Sequence, residues 1–285
     1  MSLLSPADTR ALARRLDVAP VKSRGQNFLV DPNTVRRIVR LADLGTDYHV
    51  LEIGPGLGSL TLGLLDAGVR VTAVELDPVL AAALPETVAA RAPDAADQLT
   101  VITGDALRVD IPAVPDSATV LAANLPYNVA VPLLLRLLET LPELAHGVVM
   151  VQAEVAARLA APPGSRVYGV PSAKLAWYAE SRVAAPVPRT VFWPQPRVDS
   201  ALLTFARREP PAGDRKQTFE VIDAAFAQRR KTLRAALAKW AGSAAAAEQA
   251  LRGAGIEPGL RGEALDVTAF SRIAQSRSAQ QRALD

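Results

Sequence analysis

The chain has 285 residues, 49% hydrophobic and 21% charged, a balance that suits a globular protein of one large domain or a medium domain plus a small one. Its net charge of +3, with a pI of about 9.4, is too small to indicate a polyanionic partner by itself, so the placement of the basic residues decides. The absence of cysteine excludes disulfides, thiolate-held zinc, iron–sulfur clusters and a cysteine nucleophile, and two histidines, His49 and His146, offer no metal cluster.

The first 17 residues carry acids and lack an apolar core, so they read as a helix near 7–17, not as a secretory signal, and a cytoplasmic location follows by default. A polar, glycine-containing stretch, KSRGQNFLVDPN, comes next. Within it Asp31-Pro32 predicts an N-cap with proline at the first helical position and a helix to about Leu44. Then strands and helices alternate. HVLEIG is a strand, LGSLTLGLLDAG a helix ending at Gly68, and RVTAVELD a second strand. PVLAAALPETVAAR is a helix broken or kinked around Pro85, and LTVITGDAL a third strand. ATVLAANL is the fourth, followed by the helix VPLLLRLLETL, and HGVVMVQ is the fifth, followed by AEVAARLAA. Both histidines stand near a strand start and read as surface turn residues. The uncharged run Ser117–Leu135 contains Asn124, Asn128, Pro126 and Pro132, which argues against a membrane span.

This alternation predicts a doubly wound, mainly parallel α/β sheet. RVAAPVP and VDSALLTFARR read as further strands. The Pro/Gly/charge stretch RREPPAGDRK reads as a linker, after which FEVIDAAFAQRRKTLRAALAKWAG, SAAAAEQALRGAG and TAFSRIAQ are helical. The polar end, SRSAQQRALD, reads as disordered. The expected division is therefore 1–207, with 1–45 a helical N-terminal segment, and a small all-helical domain over 208–285.

In such a sheet ligands sit beyond the carboxyl ends of the strands. After the first strand stands Gly54-Pro-Gly56-Leu-Gly58, whose glycines let the backbone approach a ligand closely. After the second comes Glu75, 21 residues beyond Gly54, an offset at which an acid accepts from ribose hydroxyls. Asp77, ahead of Pro78, reads as a helix cap. After the third comes Asp105, placed to accept from an adenine amine. Each alone has an ordinary reading as a turn or a cap; together they favour an adenosine ligand. The loop is G-x-G-x-G, not the dinucleotide G-x-G-x-x-G, and a Walker lysine is absent, which leaves S-adenosylmethionine.

The fourth strand ends in Asn124-Leu125-Pro126-Tyr127, where the methyl group of that cofactor would be aimed. Methyl transfer to an amine requires no enzyme nucleophile, in keeping with a chain that has no cysteine. An exocyclic adenine amine is a poor nucleophile. The Asn124 amide oxygen and the Leu125 carbonyl could accept its protons as the bond forms, Pro126 would fix the turn, and Tyr127 could stack on a base flipped out of its helix. Asn128 reads as a cap of the next helix. Two basic clusters stand out: Arg10, Arg14, Arg15, Lys22 and Arg24, and Arg229, Arg230, Lys231 and Arg234. Each is either a solvated helix face or an RNA surface, and the second, Arg229, Arg230, Lys231 and Arg234, is expected to bind RNA.

GQNFLVD, LEIGPGLGSLT, VELD, GDAL, NLPYN, MVQAEVAARL, FWPQPRVDSALL and FAQRRKTLRAAL, in this order from about Gly25 to Phe270, resemble the KsgA-type small-subunit rRNA adenine N6,N6-dimethyltransferases. The resemblance implies a Rossmann-like methyltransferase sheet with a helical RNA- or ribosome-binding domain. It implies cofactor contacts at Asn27, Leu29, Gly54, Glu75, Asp105 and Asn124, to which the glycine-loop reading adds Gly56. It places Phe192 against the target base opposite Tyr127. The implied reaction converts two adjacent adenosines of the terminal hairpin of small-subunit rRNA to N6,N6-dimethyladenosine, late in ribosome assembly, by a monomer without metal. Two departures, Pro171 in YGVPSAKLAWYAE and Ala235 after RRKTLR, fall outside the inferred centre and bear on RNA docking. The alternatives are a large-subunit rRNA adenine methyltransferase of the antibiotic-resistance type, a non-catalytic assembly factor, and a nicotinamide dehydrogenase.

Overall fold

The computed structural model describes residues 2–18, 27–45, 47–108 and 118–282. Lys22, Arg24 and the Gly25-Gln26 part of the GQNFL motif lie outside the described residues. The first stretch holds helix α1 (Pro6–Arg15), and the second holds strand β1 (Phe28–Leu29) and helix α2 (Pro32–Leu41). As expected, Asp31 caps α2: its Oδ2 accepts the Thr34 N–H at 2.8 Å, and Pro32 opens the first turn.

The alternating section becomes β2 (His49–Ile53), α3 (Ser59–Asp66), β3 (Arg70–Glu75), α4 (Pro78–Arg91), β4 (Leu99–Thr103), β5 (Ala118–Asn124), α5 (Ala130–Thr140), β6 (His146–Gln152) and α6 (Ala153–Leu159). Helix α7 (Val170–Tyr178) precedes β7 (Ala179–Val187), β8 (Phe192–Trp193) and β9 (Ser200–Arg207). Seven strands form one sheet in the order β4-β3-β2-β5-β6-β9-β7. From β2 to β6 every neighbouring pair is parallel, and β9 runs antiparallel to β6. The chain leaves β2 toward β3 and β4 on one side and returns to β5 on the other, so the topological switch point falls between β2 and β5. Burial on both faces explains why β2 and β5 read as continuous apolar runs. Strand β1 pairs with β8 in a separate two-stranded ribbon, too short to register as periodicity in the sequence.

The chain divides into two compact units, residues 1–156 with 182–207, and residues 157–181 with 208–285. The linker at 207/208 coincides with a boundary, but 157–181, assigned from sequence to the first domain, belongs to the second unit. That unit carries α7, α8 (Arg215–Ala227), α9 (Leu233–Ala236), α10 (Ala238–Ala241), α11 (Ala244–Gly253) and α12 (Val267–Arg282). Its own apolar core includes Tyr168, Ile222, Leu237, Leu251 and Phe270.

Several sequence expectations are corrected. Helix α4 runs unbroken through Pro85, which lies on its exposed face. The long helix expected over 219–242 stops at Ala227 and resumes at Leu233, because the Leu233 and Arg234 N–H groups donate to the Leu260 and Pro258 carbonyls. Residues 276–282 are helical, not disordered: Ser278 Oγ donates to Gln217 Oε1 at 2.7 Å, and Arg277 Nη2 to the Ala241 carbonyl at 2.8 Å. Pro171 stands in the first turn of α7, where its missing N–H costs no helical bond. The histidines are strand residues with partners: His49 is buried with Nε2 2.8 Å from Thr72 Oγ1, and His146 Nε2 lies 3.1 Å from the Ala42 carbonyl. Burial lowers the pKa of His49.

Candidate active site

Four strand ends meet at the switch point. Backbone hydrogen bonds extend the sheet into the loops: the Gly54 N–H donates to Val74 O, the Gly104 N–H to Glu75 O, and the Leu125 N–H to Met150 O. The loops that follow β2, β3, β4 and β5 are thereby held in register. They enclose a cavity of about 300 Å³ whose wall includes Asn27, Leu29, Gly54, Gly56, Glu75, Asp105, Asn124, Leu125, Pro126 and Tyr127. Glu52, Phe28 and Leu76 are among the further wall groups that the sequence did not single out. Phe28 stands one residue from Asn27 and could have been found by its place in the motif; Leu76 is an exposed apolar residue inside the acidic turn.

The glycine loop needs its glycines. Gly56 has φ of +59°, and a Cβ there would meet the Phe28 ring at 3.1 Å. This conformation turns the Gly56 N–H onto Glu75 Oε2 at 3.0 Å, while Glu75 Oε1 accepts the Asp77 N–H at 3.0 Å. Each oxygen therefore keeps unused acceptor capacity beside the cavity. Burial raises the Glu75 pKa, and these two backbone bonds oppose the shift. Asp77 caps α4 through the Val79 N–H at 3.0 Å, as its sequence position indicated. Glu52 is 1% exposed and accepts from the Thr61 hydroxyl at 2.7 Å; burial pushes its carboxyl up to about 8. Asp105 turns Oδ1 onto the Leu107 N–H at 3.0 Å and stays half-buried at the wall.

The N-terminal segment reaches the site through β1. Leu29 O accepts the buried Ser59 hydroxyl at 2.6 Å, and the Asn27 carbonyl accepts Asn124 Nδ2 at 3.1 Å. That second bond orients the Asn124 amide: its nitrogen is engaged, and its oxygen has no hydrogen bond among the described residues. Pro126 turns the chain, with its carbonyl accepting the Val129 N–H at 3.2 Å. Tyr127 is half-buried, its hydroxyl 2.7 Å from Ser200 Oγ, and burial raises its pKa. Asn128 is exposed and does not cap α5; that position is Val129, which makes no side-chain cap bond.

Phe192 is not part of the cavity wall. It is 4% exposed, packed in the apolar core, and pairs across the β1/β8 ribbon with Leu29. Next to it Trp193 stacks on Phe28 with centroids 6.2 Å apart. The basic quartet is divided. Arg229 donates to the Tyr168 carbonyl, to the Arg166 carbonyl at 2.8 Å and to Glu263 at 3.1 Å, and Arg234 pairs with Glu248 at 2.8 Å. Arg230 and Lys231 are exposed, and their side chains have no ion pair or hydrogen bond among the described residues. Among those residues no group of acids and histidines could hold a metal, and no helix is long and apolar enough to cross a membrane.

The likenesses to other proteins point the same way. The structure aligns with a dimethyladenosine transferase from Plasmodium falciparum at a TM-score of 0.76, over 89% of this chain and 98% of that one; at 22% identity this shows a shared fold. It aligns with the 23S rRNA methyltransferase ErmE at a TM-score of 0.64 and 27% identity, over 88% and 100% of the two chains. The chain is 61% identical over 278 residues to the ribosomal RNA small subunit methyltransferase A of Thermobifida fusca, and 60% identical to that of Streptomyces coelicolor; each match covers 96% of both chains. The family profile described as ribosomal RNA adenine dimethylase matches residues 21–276, a span that includes every strand end at the cavity. A glycine loop, Glu75 and an NLPY turn meeting at one switch point, within a match of that length, make this chain a member of the ribosomal RNA adenine dimethylase family.

Proposed function

We propose that the chain transfers methyl groups from S-adenosylmethionine to N6 of two adjacent adenosines in the terminal hairpin of small-subunit rRNA, giving N6,N6-dimethyladenosine late in assembly. The observation that carries this reading is the Asn124 amide, tied by its nitrogen to the Asn27 carbonyl with its oxygen left as an acceptor in the cavity wall. The described residues suit the cofactor. Glu75 offers acceptor capacity for a ribose diol, Asp105 for an adenine amine, and the Gly54–Gly56 backbone a close approach for the amino-acid end. S-adenosylmethionine, when bound, supplies an activated methyl group.

The chain's own residues do the rest. Asn124 Oδ1 and the Leu125 carbonyl accept hydrogen bonds from the amine N–H groups, which draws the nitrogen lone pair out of conjugation with the ring and toward the incoming carbon; neither oxygen takes the proton, which leaves to water after the new N–C bond forms. Acceptors fixed in advance cost no reorganisation as the bond forms. Leu125 is held by its N–H bond to Met150 and Pro126 by the turn to Val129, so both carbonyls have fixed directions. Tyr127 stacks on the extruded base, a contact of roughly 1–3 kcal/mol. Phe192, buried behind β1, supports this wall instead of stacking opposite Tyr127.

In the helical unit, Arg230 and Lys231 are the residues we assign to phosphate contact, with Arg229 and Arg234 shaping the segment that presents them. We take the protein to act as a cytoplasmic monomer on a pre-assembled particle. The small-subunit relatives at about 60% identity favour this substrate over large-subunit RNA, the alternative that the ErmE likeness keeps in view. The test is to offer the purified protein labelled S-adenosylmethionine with immature small subunits or with free large-subunit RNA. Label in adjacent dimethyladenosines of the small-subunit RNA alone is expected; label in the large-subunit RNA would overturn the substrate assignment.

A further inference from the structure

We propose that Ser200 is a positioning residue for the base-stacking tyrosine: its hydroxyl holds the Tyr127 ring upright at the cavity, and through that ring it sets the rate of methyl transfer. This rests on the reading of Tyr127 as the residue that stacks on the target base.

The topology makes the contact possible. Parallel strands bring their carboxyl ends to the ligand edge of the sheet. Strand β9 is antiparallel to β6, so it is its first residue, Ser200, that arrives at that edge, opposite Gln152. Ser200 is 0% exposed and does not line the cavity, so it touches no ligand there. Its Oγ lies 2.7 Å from the Tyr127 hydroxyl. The backbone that carries it is itself fixed: the Asp199 carbonyl accepts the Ala153 N–H at 3.0 Å, and Asp199 Oδ1 accepts the Arg189 N–H at 3.0 Å.

Tyr127 therefore has two fixed points. The Pro126 turn sets its Cα, and Ser200 sets the far end of its ring. With both ends held, neither side-chain torsion is free, and the ring plane is defined before a base arrives. Without Ser200 the ring would pivot about Cβ, and a stacking surface that pivots misplaces the amine relative to Asn124. Cofactor contacts at Gly56, Glu75 and Asp105 come from other loops, so they should not register the loss.

The test uses the full-length protein and immature small subunits. Ser200→Ala and Tyr127→Phe should each lower kcat about fivefold, the effect expected of one hydrogen bond. The double variant should fall no further than either single one, because both remove the same bond. The dissociation constant for S-adenosylmethionine should be unchanged in all three, and Ser200→Thr, which keeps a hydroxyl, should restore kcat to within about twofold. Multiplied losses in the double variant, or an unchanged kcat in Ser200→Ala, would overturn the proposal. Loss of cofactor affinity alongside kcat would assign Ser200 a general structural role and overturn it as well. Tyr127→Ala separates this from the underlying reading: full activity there would remove Tyr127 from the site altogether, whereas a large loss there with no effect of Ser200→Ala would refute only the positioning role.

Discussion

The edge of the sheet and the basic segment of the helical unit use their polar groups in opposite ways. At the edge, Asn124 and Glu75 each spend part of their hydrogen-bonding capacity on the backbone and keep the rest beside the cavity. In the segment from Arg229 to Arg234 the division falls between residues. Arg229 is tied to two loop carbonyls and Glu263, and the exposed Arg234 spends its Nε on Glu248, while Arg230 and Lys231 are exposed with no such bond among the described residues. A charge in a sequence motif is thus no guide to its availability.

That contrast can be broken most sharply at Asn124. Asn124→Ala should lower the rate of methyl transfer by about 10²–10³, the usual loss when one pre-placed polar group at a reacting centre is removed. Glu75→Ala should come next, weakening S-adenosylmethionine binding about a hundredfold in calorimetry through the lost acceptors. It should also lower Tm by a few degrees, because the Gly56 and Asp77 N–H groups lose their partner.

In the helical unit, reversing the charge of Arg230 and Lys231 together should weaken binding to small-subunit particles about tenfold and flatten its salt dependence, with Tm unchanged. Arg229→Ala should do the reverse, lowering Tm by more than it lowers affinity, since it removes a fork that ties two loop carbonyls to Glu263. Equal effects of the two changes would erase the distinction between presenting and shaping residues.

The smallest effect on chemistry is expected at Glu52. Its carboxyl is raised to about 8 in the folded chain and ionises near 4.5 when unfolded. The folded state therefore holds the extra proton between those values, so its stability falls as pH rises through that window and levels off above it. Glu52→Gln should remove this slope, measured as Tm against pH, while leaving turnover nearly unchanged at pH 7.

The sheet was legible because strands buried on both faces, such as VLEI and VLAA, are short apolar runs bounded by glycine or amide, and because the ligand groups follow them directly in sequence. Glu75, Asp105 and Asn124 could be placed at one edge by topology alone. Contacts that cross the chain were not legible. Nothing local marks Ser200 as the partner of a tyrosine 73 residues earlier, or the Leu260 and Pro258 carbonyls as the reason a helical pattern breaks at Gln228. The same holds for the tail, whose polar composition suggests disorder but whose Arg277 and Ser278 find distant partners. Phe192 shows the converse: a motif placed it at the base, while its packing puts it in the core.

The central claim is that Asn124 accepts from the amine that receives the methyl group. It is tested most directly by mass analysis of small-subunit RNA after incubation of immature particles with S-adenosylmethionine and either the wild-type protein or Asn124→Ala, with cofactor affinity measured in parallel. Two adjacent dimethyladenosines are expected with the wild type, and almost none with the variant although it still binds cofactor. Full dimethylation by the variant would contradict the claim.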